Sequence, residues 1–144
     1  MASIGLNDRQ SFVMLMSYRR TRHAVYLCNY HFVWVPKRRK PVLVGDIKER
    51  FEGLVKEIAE EYGWEILALE TKPDHVHLLI SVQPEWSPHK VLRRIKSRTS
   101  RILRREFPEL LKLPSLWTRS YFVSTAGHVS SETIRRYIEE QSRK

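Results

Sequence analysis

Apolar positions along the chain change period several times, and each change marks an element. From Ala24 to Val35, AVYLCNYHFVWV, β-branched and aromatic residues crowd together and predict a long strand. Between Asp46 and Tyr62 the spacing becomes helical: Ile47, Phe51, Leu54, Val55 and Ile58 share one face, Asp46 is the candidate N-cap and Gly63 follows the end. Two more strands are expected at Trp64 to Glu70 and His75 to Val82, joined by a Lys72-Pro73-Asp74 turn. A second helical period runs from Ser87 to Arg105 through Val91, Leu92, Ile95, Ile102 and Leu103. A proline-containing loop then leads from Phe107 to Trp117, and a last strand is predicted near Ser120 to Ser124. Thr125-Ala126-Gly127-His128 opens into a short helix from Ser130, with serines and Glu132 at its start and Arg143 and Lys144 at its end.

The order β-α-β-β-α-β plus a final helix is that of a split βαβ domain. It predicts an α+β, ferredoxin-like or RRM-like fold: a four-stranded antiparallel sheet, two helices on one face, and a C-terminal helix. The third strand is central in this topology. Residues 1–20 have no clear period and read as a loosely ordered N-terminal extension, and residues 21–144 read as one domain.

Charge narrows the class of partner. The chain carries 26 Lys+Arg against 16 Asp+Glu, a formal net charge of +10 and a sequence pI near 10.0, a balance that favours polyanions and nucleic acid above all. The charge is clustered: between Ser87 and Arg105 stand Lys90, Arg93, Arg94, Lys96, Arg98, Arg101, Arg104 and Arg105 with no acidic residue. One side of that helix packs and the rest forms a basic ridge suited to phosphates. A second basic patch, Lys37-Arg38-Arg39-Lys40, lies between prolines. No stretch approaches the roughly 18 apolar residues of a membrane span. Phe12 to Met16 is too short for the core of an export signal, and a single cysteine, Cys28, cannot form an internal disulfide, so a cytoplasmic location is expected.

Candidate chemistry begins at His75-Val76-His77. Alternate residues of a strand share a face, so the two imidazoles project together as half of a metal site. Chance alone gives such a triplet at roughly 0.25 per chain of this composition, so a third ligand and a reactive group are needed. The final helix offers both: Tyr137 and Gln141, four residues apart, stack on one helical face. Gln141 has a neutral carbonyl oxygen and Tyr137 a phenol able to attack phosphorus. Both motifs together arise by chance at roughly 0.03. The competing reading of Tyr137 is a core tyrosine beside Ile134 and Ile138.

HVH on the third strand, the basic helix, the strand WTRSYFV and the segment STAGHVSSETIRRYIEEQ together resemble the single-tyrosine HUH (His-hydrophobe-His) transposases of bacterial and archaeal insertion sequences. The resemblance is to the TnpA type of the two-hundred/six-hundred-and-five group. RHAVYLCNYHFVWVPKRRKPVL is similar to that family's opening strand and turn, and the resemblance extends from about residue 20 to residue 142. It implies that Tyr137 is the nucleophile, with His75, His77 and Gln141 holding a divalent metal, Mg2+ or Mn2+. The substrate it implies is single-stranded DNA with hairpins at element ends, cut through a 5′-phosphotyrosine. No nucleotide cofactor is implied, in keeping with the lack of a G-x-x-x-x-G-K-[ST] sequence. It also implies a homodimer in which the tyrosine helix of one subunit can complete the histidine pair of the other, with Gly127 as a candidate hinge. Lys37, Arg38, Arg39, Arg93, Arg94, Lys96, Arg98 and Arg101 are the candidate DNA contacts.

Neighbouring residues are assigned more ordinary roles. Arg135 and Arg136 either favour the phenolate or line a solvated face; His31 suits a core or DNA-contact role better than a metal role; His89 and His128 suit helix entrances; Asp74 is expected to serve the turn and point away from the metal. Two alternatives stay open: a host-repurposed HUH nuclease acting on repeated palindromes, and a non-catalytic RRM-like module binding single-stranded nucleic acid.

Overall fold

The structure is a computed structural model that describes residues 27–125. Its strands are β1 (Cys28–Trp34), β2 (Glu65–Lys72), β3 (His75–Val82) and β4 (Phe122–Thr125), in the sheet order β2-β3-β1-β4 with every neighbouring pair antiparallel. β3 is central, as the topology requires. Helices α1 (Gly45–Tyr62) and α2 (Pro88–Glu106) complete the split βαβ arrangement expected from the sequence. The N-terminal extension, Gly127, Tyr137, Gln141 and the predicted terminal helix lie outside the described residues.

The two faces of β3 differ in what buries them. Val76, Leu78, Ile80 and Val82 join the core with Ile47, Phe51, Leu54 and Ile58 of α1 and Val91, Leu92, Ile95 and Leu103 of α2. By alternation, His75, His77, Leu79 and Ser81 occupy the face away from the helices. Residues after His75 are buried along the whole strand, which accounts for a continuous apolar run where a half-exposed strand would alternate. Under the helices, Trp34, Phe51 and Trp117 meet edge to face at centroid distances of 5.5–6.3 Å. Trp117 thus belongs to the core, with its indole N–H donating to Thr99 Oγ1 at 3.0 Å.

Element boundaries depart from the sequence reading where local contacts intervene. Asp46 is not the N-cap of α1: Gly45, at φ +55°, turns the chain into the helix one residue sooner, and Val44 occupies the cap with no side-chain bond. Asp46 lies in the first turn, where its charge still complements the helix dipole. Gly63, at φ +73°, ends α1 as the pattern predicts, and Ser87 caps α2 by accepting from the Lys90 backbone N–H at 3.3 Å. β2 continues to Lys72, beyond the predicted Glu70, because its ladder with β3 persists to Lys72↔His75. β4 starts at Phe122, later than predicted. The preceding segment is held elsewhere: the Lys96 ammonium donates to the Thr118 carbonyl at 2.6 Å and to the Arg119 carbonyl at 3.4 Å, and Thr118 N–H donates to Val35 O at 3.2 Å.

Candidate active site

His75 and His77 meet on the sheet face opposite α1 and α2, their ring centroids 5.2 Å apart and their planes at 82°. Each ring is engaged at Nδ1. His75 Nδ1 lies 2.8 Å from Asp74 Oδ1, and Asp74 Oδ2 lies 3.2 Å from Arg39 Nε. His77 Nδ1 lies 3.3 Å from His31 Nε2, with the two rings stacked at 5.5 Å. His31 reaches His77 because β1 pairs with β3 at Val33↔His77, which makes His31 a diagonal neighbour on the same face. Asp74 remains a turn residue, but it also orients His75. This second role, and that of His31, escaped the sequence reading.

Burial sets the charge state of this cluster. Desolvation, followed by the nearby His31 and His75, lowers the His77 pKa from 6.5 to about 4, so its ring is neutral at neutral pH. Desolvation also lowers that of His31. The hydrogen bond from His75, with Arg39 beside it, keeps the Asp74 carboxyl below its usual range. As pH falls, an unfolded histidine takes up its proton near 6.5 while native His77 does not until about 4. Stability is therefore complete above pH 6.5 and declines as pH falls towards 4. Titration followed by histidine NMR should give a His77 midpoint near 4; a midpoint at or above 6.5 would show that the ring is not desolvated as described.

Two imidazoles engaged at Nδ1 have Nε2 left to coordinate, a donor set that fits a divalent cation. Among the described residues no group of three or more His, Cys, Asp or Glu side chains could hold a metal, so the pair needs a further donor. The described tyrosines are Tyr30, Tyr62 and Tyr121, and none stands with the histidines. Tyr30 is buried in the helix-side core, donates to Trp86 O at 2.9 Å and has its pKa pushed up to about 12, chiefly by burial. Tyr62 packs against Trp64 and Trp86, and Tyr121 against Phe32.

The basic residues fall into separate settings. Lys37, Arg38 and Arg39 form a short 3-10 turn before α1, in which Arg38 (φ 57°) and Arg39 (φ 52°) adopt the left-handed region that non-glycine residues seldom occupy. The turn is tied down by Lys37 N–H to Leu116 O, Arg39 N–H to Pro36 O, and the Arg39–Asp74 ion pair. On α2, Arg93, Arg94 and Arg101 are exposed and line a cleft of about 850 Å³ with Trp86, Lys90 and Arg98. Arg94 also lies over the Tyr62 ring at 5.6 Å. Arg98 makes a paired bond to Glu61 at 2.8 and 3.0 Å. Lys96 is half-buried, its ammonium held by the Thr118 and Arg119 carbonyls and its pKa lowered by desolvation.

Comparison with known proteins places these features in a family. A family profile described as Transposase IS200 like matches residues 24–141. The ISDra2 transposase TnpA of Deinococcus radiodurans is 30% identical over 132 residues, covering 90% of this chain and 94% of that protein. The transposase for insertion sequence element IS200 of Salmonella typhimurium is 28% identical over 122 residues, covering 83% of this chain and 80% of that one. Among solved structures, a candidate transposase from Deinococcus radiodurans R1 superimposes with a TM-score of 0.69 at 34% identity, covering 84% of this chain and 95% of that chain. A REP-associated tyrosine transposase bound to a REP hairpin shares the fold at a TM-score of 0.56 and 14% identity, covering 81% of this chain and 67% of that one.

Proposed function

The chain belongs to the IS200-like transposases and is a DNA-processing enzyme of insertion sequences, and on that premise we propose that it cleaves and rejoins single-stranded DNA at hairpin-bearing element ends through a 5′-phosphotyrosine on Tyr137. The observation that carries this reading is the histidine pair on a sheet face away from both helices, each ring engaged at Nδ1. His75 and His77, with the Gln141 amide oxygen four residues beyond Tyr137, would hold Mg2+ or Mn2+. The cation would polarise a non-bridging oxygen of the scissile phosphate and orient it.

Tyr137 carries the bond exchange. Its phenol gives up its proton to solvent and attacks phosphorus; the bond to the 3′ oxygen breaks, that oxygen takes a proton from solvent and leaves as a 3′ hydroxyl, and the 5′ phosphate stays on the tyrosine. Attack by another 3′ hydroxyl reverses these steps, restores a phosphodiester and frees the phenol. The phosphotyrosine conserves the bond, so strand joining needs no nucleotide cofactor. Tyr30 is no rival nucleophile, since burial holds its phenol protonated and its hydroxyl is bonded to Trp86 O.

The DNA surface comprises the cleft beside α2 and the Lys37–Arg39 turn. The turn adjoins the histidine pair through Arg39 and Asp74, which would bring a bound strand towards the scissile position. A protein of the same fold holds a REP hairpin, which supports hairpins as the ligand class. A homodimer sharing its tyrosine helices completes the proposal, and light scattering on the purified protein tests it.

Hairpin affinity should fall with salt at a log–log slope of about −0.7 per neutralised phosphate. Arg93→Ala and Arg101→Ala should each make that slope shallower, because both side chains are exposed in the cleft. Lys96→Met should instead lower thermal stability, because its ammonium ties α2 to the segment before β4. Filter binding across a salt series reads the slopes and a thermal melt reads Lys96→Met; a flat series, or wild-type slopes in Arg93→Ala and Arg101→Ala, would count against the cleft.

A further inference from the structure

The two histidines are held at equivalent nitrogens by unlike partners. Asp74 offers His75 a carboxylate, which can only accept, so His75 donates from Nδ1 and Nε2 is the nitrogen left to coordinate. The carboxylate is itself pinned, because its other oxygen pairs with Arg39 on a turn anchored to Pro36 and Leu116. His77 meets another imidazole, and there the proton has two possible positions. If His77 donates from Nδ1 to His31 Nε2, its own Nε2 is left to coordinate. The opposite arrangement would place the proton on His77 Nε2 and close that ring to a cation.

We infer that Asp74 and His31 are positioning residues of the histidine site, fixing His75 and His77 in the Nδ1-H tautomer so that both rings offer Nε2 to the same divalent cation. The inference rests on the metal reading of the proposed function and adds the groups that make the pair competent. Both members of the His31–His77 contact are buried, so water does not readily replace a lost partner. The partners differ in effect. Anionic Asp74 strengthens His75 as a donor as well as orienting it, whereas neutral His31 chiefly orients His77.

The test begins with the full-length wild-type protein, labelled with 15N-histidine and free of metal. Long-range 1H–15N spectra at neutral pH should show His75 and His77 protonated at Nδ1, and a His77 proton on Nε2 would overturn the inference. Mn2+ binding is then followed by loss of the free-ion EPR signal. Asp74→Ala and His31→Phe should each weaken Mn2+ binding by about 10–100-fold. His31→Gln, which restores a side-chain acceptor, should recover much of the loss. Folded His31→Phe and Asp74→Ala proteins with wild-type Mn2+ affinity would overturn the inference while leaving the metal reading intact. Wild-type protein that binds no Mn2+ with or without hairpin DNA would remove both. If His31→Phe does not fold, the wild-type tautomers and the Asp74→Ala titration still decide.

Discussion

Tyr137→Phe is expected to abolish covalent capture of DNA and leave hairpin binding unchanged. The substitution removes one hydroxyl, and the phenyl ring that remains can pack on a helix but cannot attack phosphorus. No neighbouring group takes over in the proposed chemistry, so cleavage should fall by at least about a thousandfold. In the proposed reading the phosphate contacts come from α2 and the Lys37–Arg39 turn and do not include the phenol, so the dissociation constant should stay within about twofold. A denaturing gel reads the first quantity and filter binding the second. Cleavage at the wild-type rate by this variant would assign the nucleophile to another residue.

His75→Ala and His77→Ala should both stop cleavage, but they should differ in stability. Each removes one candidate ligand, and a hundredfold or greater loss of activity is expected, of the order seen when metal-site partners are removed. His77 is almost fully buried against His31, so its loss also opens a cavity and removes a buried hydrogen bond, at a cost of about 1–3 kcal/mol. His75 retains 16% side-chain exposure beside a turn, and its loss should shift the melting temperature less. Thermal melts run beside the cleavage assay separate the effects: a His75→Ala protein that stays folded but inactive isolates the chemical role. Undiminished cleavage by that protein in Mn2+ would remove His75 from the site.

The fold was legible where local pattern and final burial coincide. β3 follows its predicted limits because its apolar residues are buried on both faces of a central strand, and α2 follows its period because Val91, Leu92, Ile95 and Leu103 point into one core. Its start was readable too, since Ser87 precedes Pro88 and caps the first turn. Asp46 misled for a physical reason: its type suits a cap, but the positive φ of Gly45 starts α1 sooner. In the candidate site, the adjacency of His75 and His77 follows from strand alternation alone. The His31 contact does not, because it depends on the register of β1 against β3, which joins residues 46 positions apart. Once that pairing is assumed, shared parity on the sheet face is the signal that finds His31. Likewise the helical period places Lys96 and Arg98 on the basic ridge but says nothing of the Thr118 carbonyl or Glu61 that engage them.

The most direct measurement uses single-stranded hairpin DNA from the ends of the chain's own element, labelled at one end or the other, incubated with the protein in Mg2+ or Mn2+ and resolved on a denaturing gel. A 5′-phosphotyrosine retains the fragment on the 3′ side of the cut. The 3′-labelled substrate should therefore move with the protein, the 5′-labelled substrate should release a shorter strand ending in a 3′ hydroxyl, and both products should require metal and Tyr137. Tight hairpin binding with no covalent product in either metal, across several flanking sequences, would contradict the tyrosine mechanism, as would a protein adduct carrying the 5′ label.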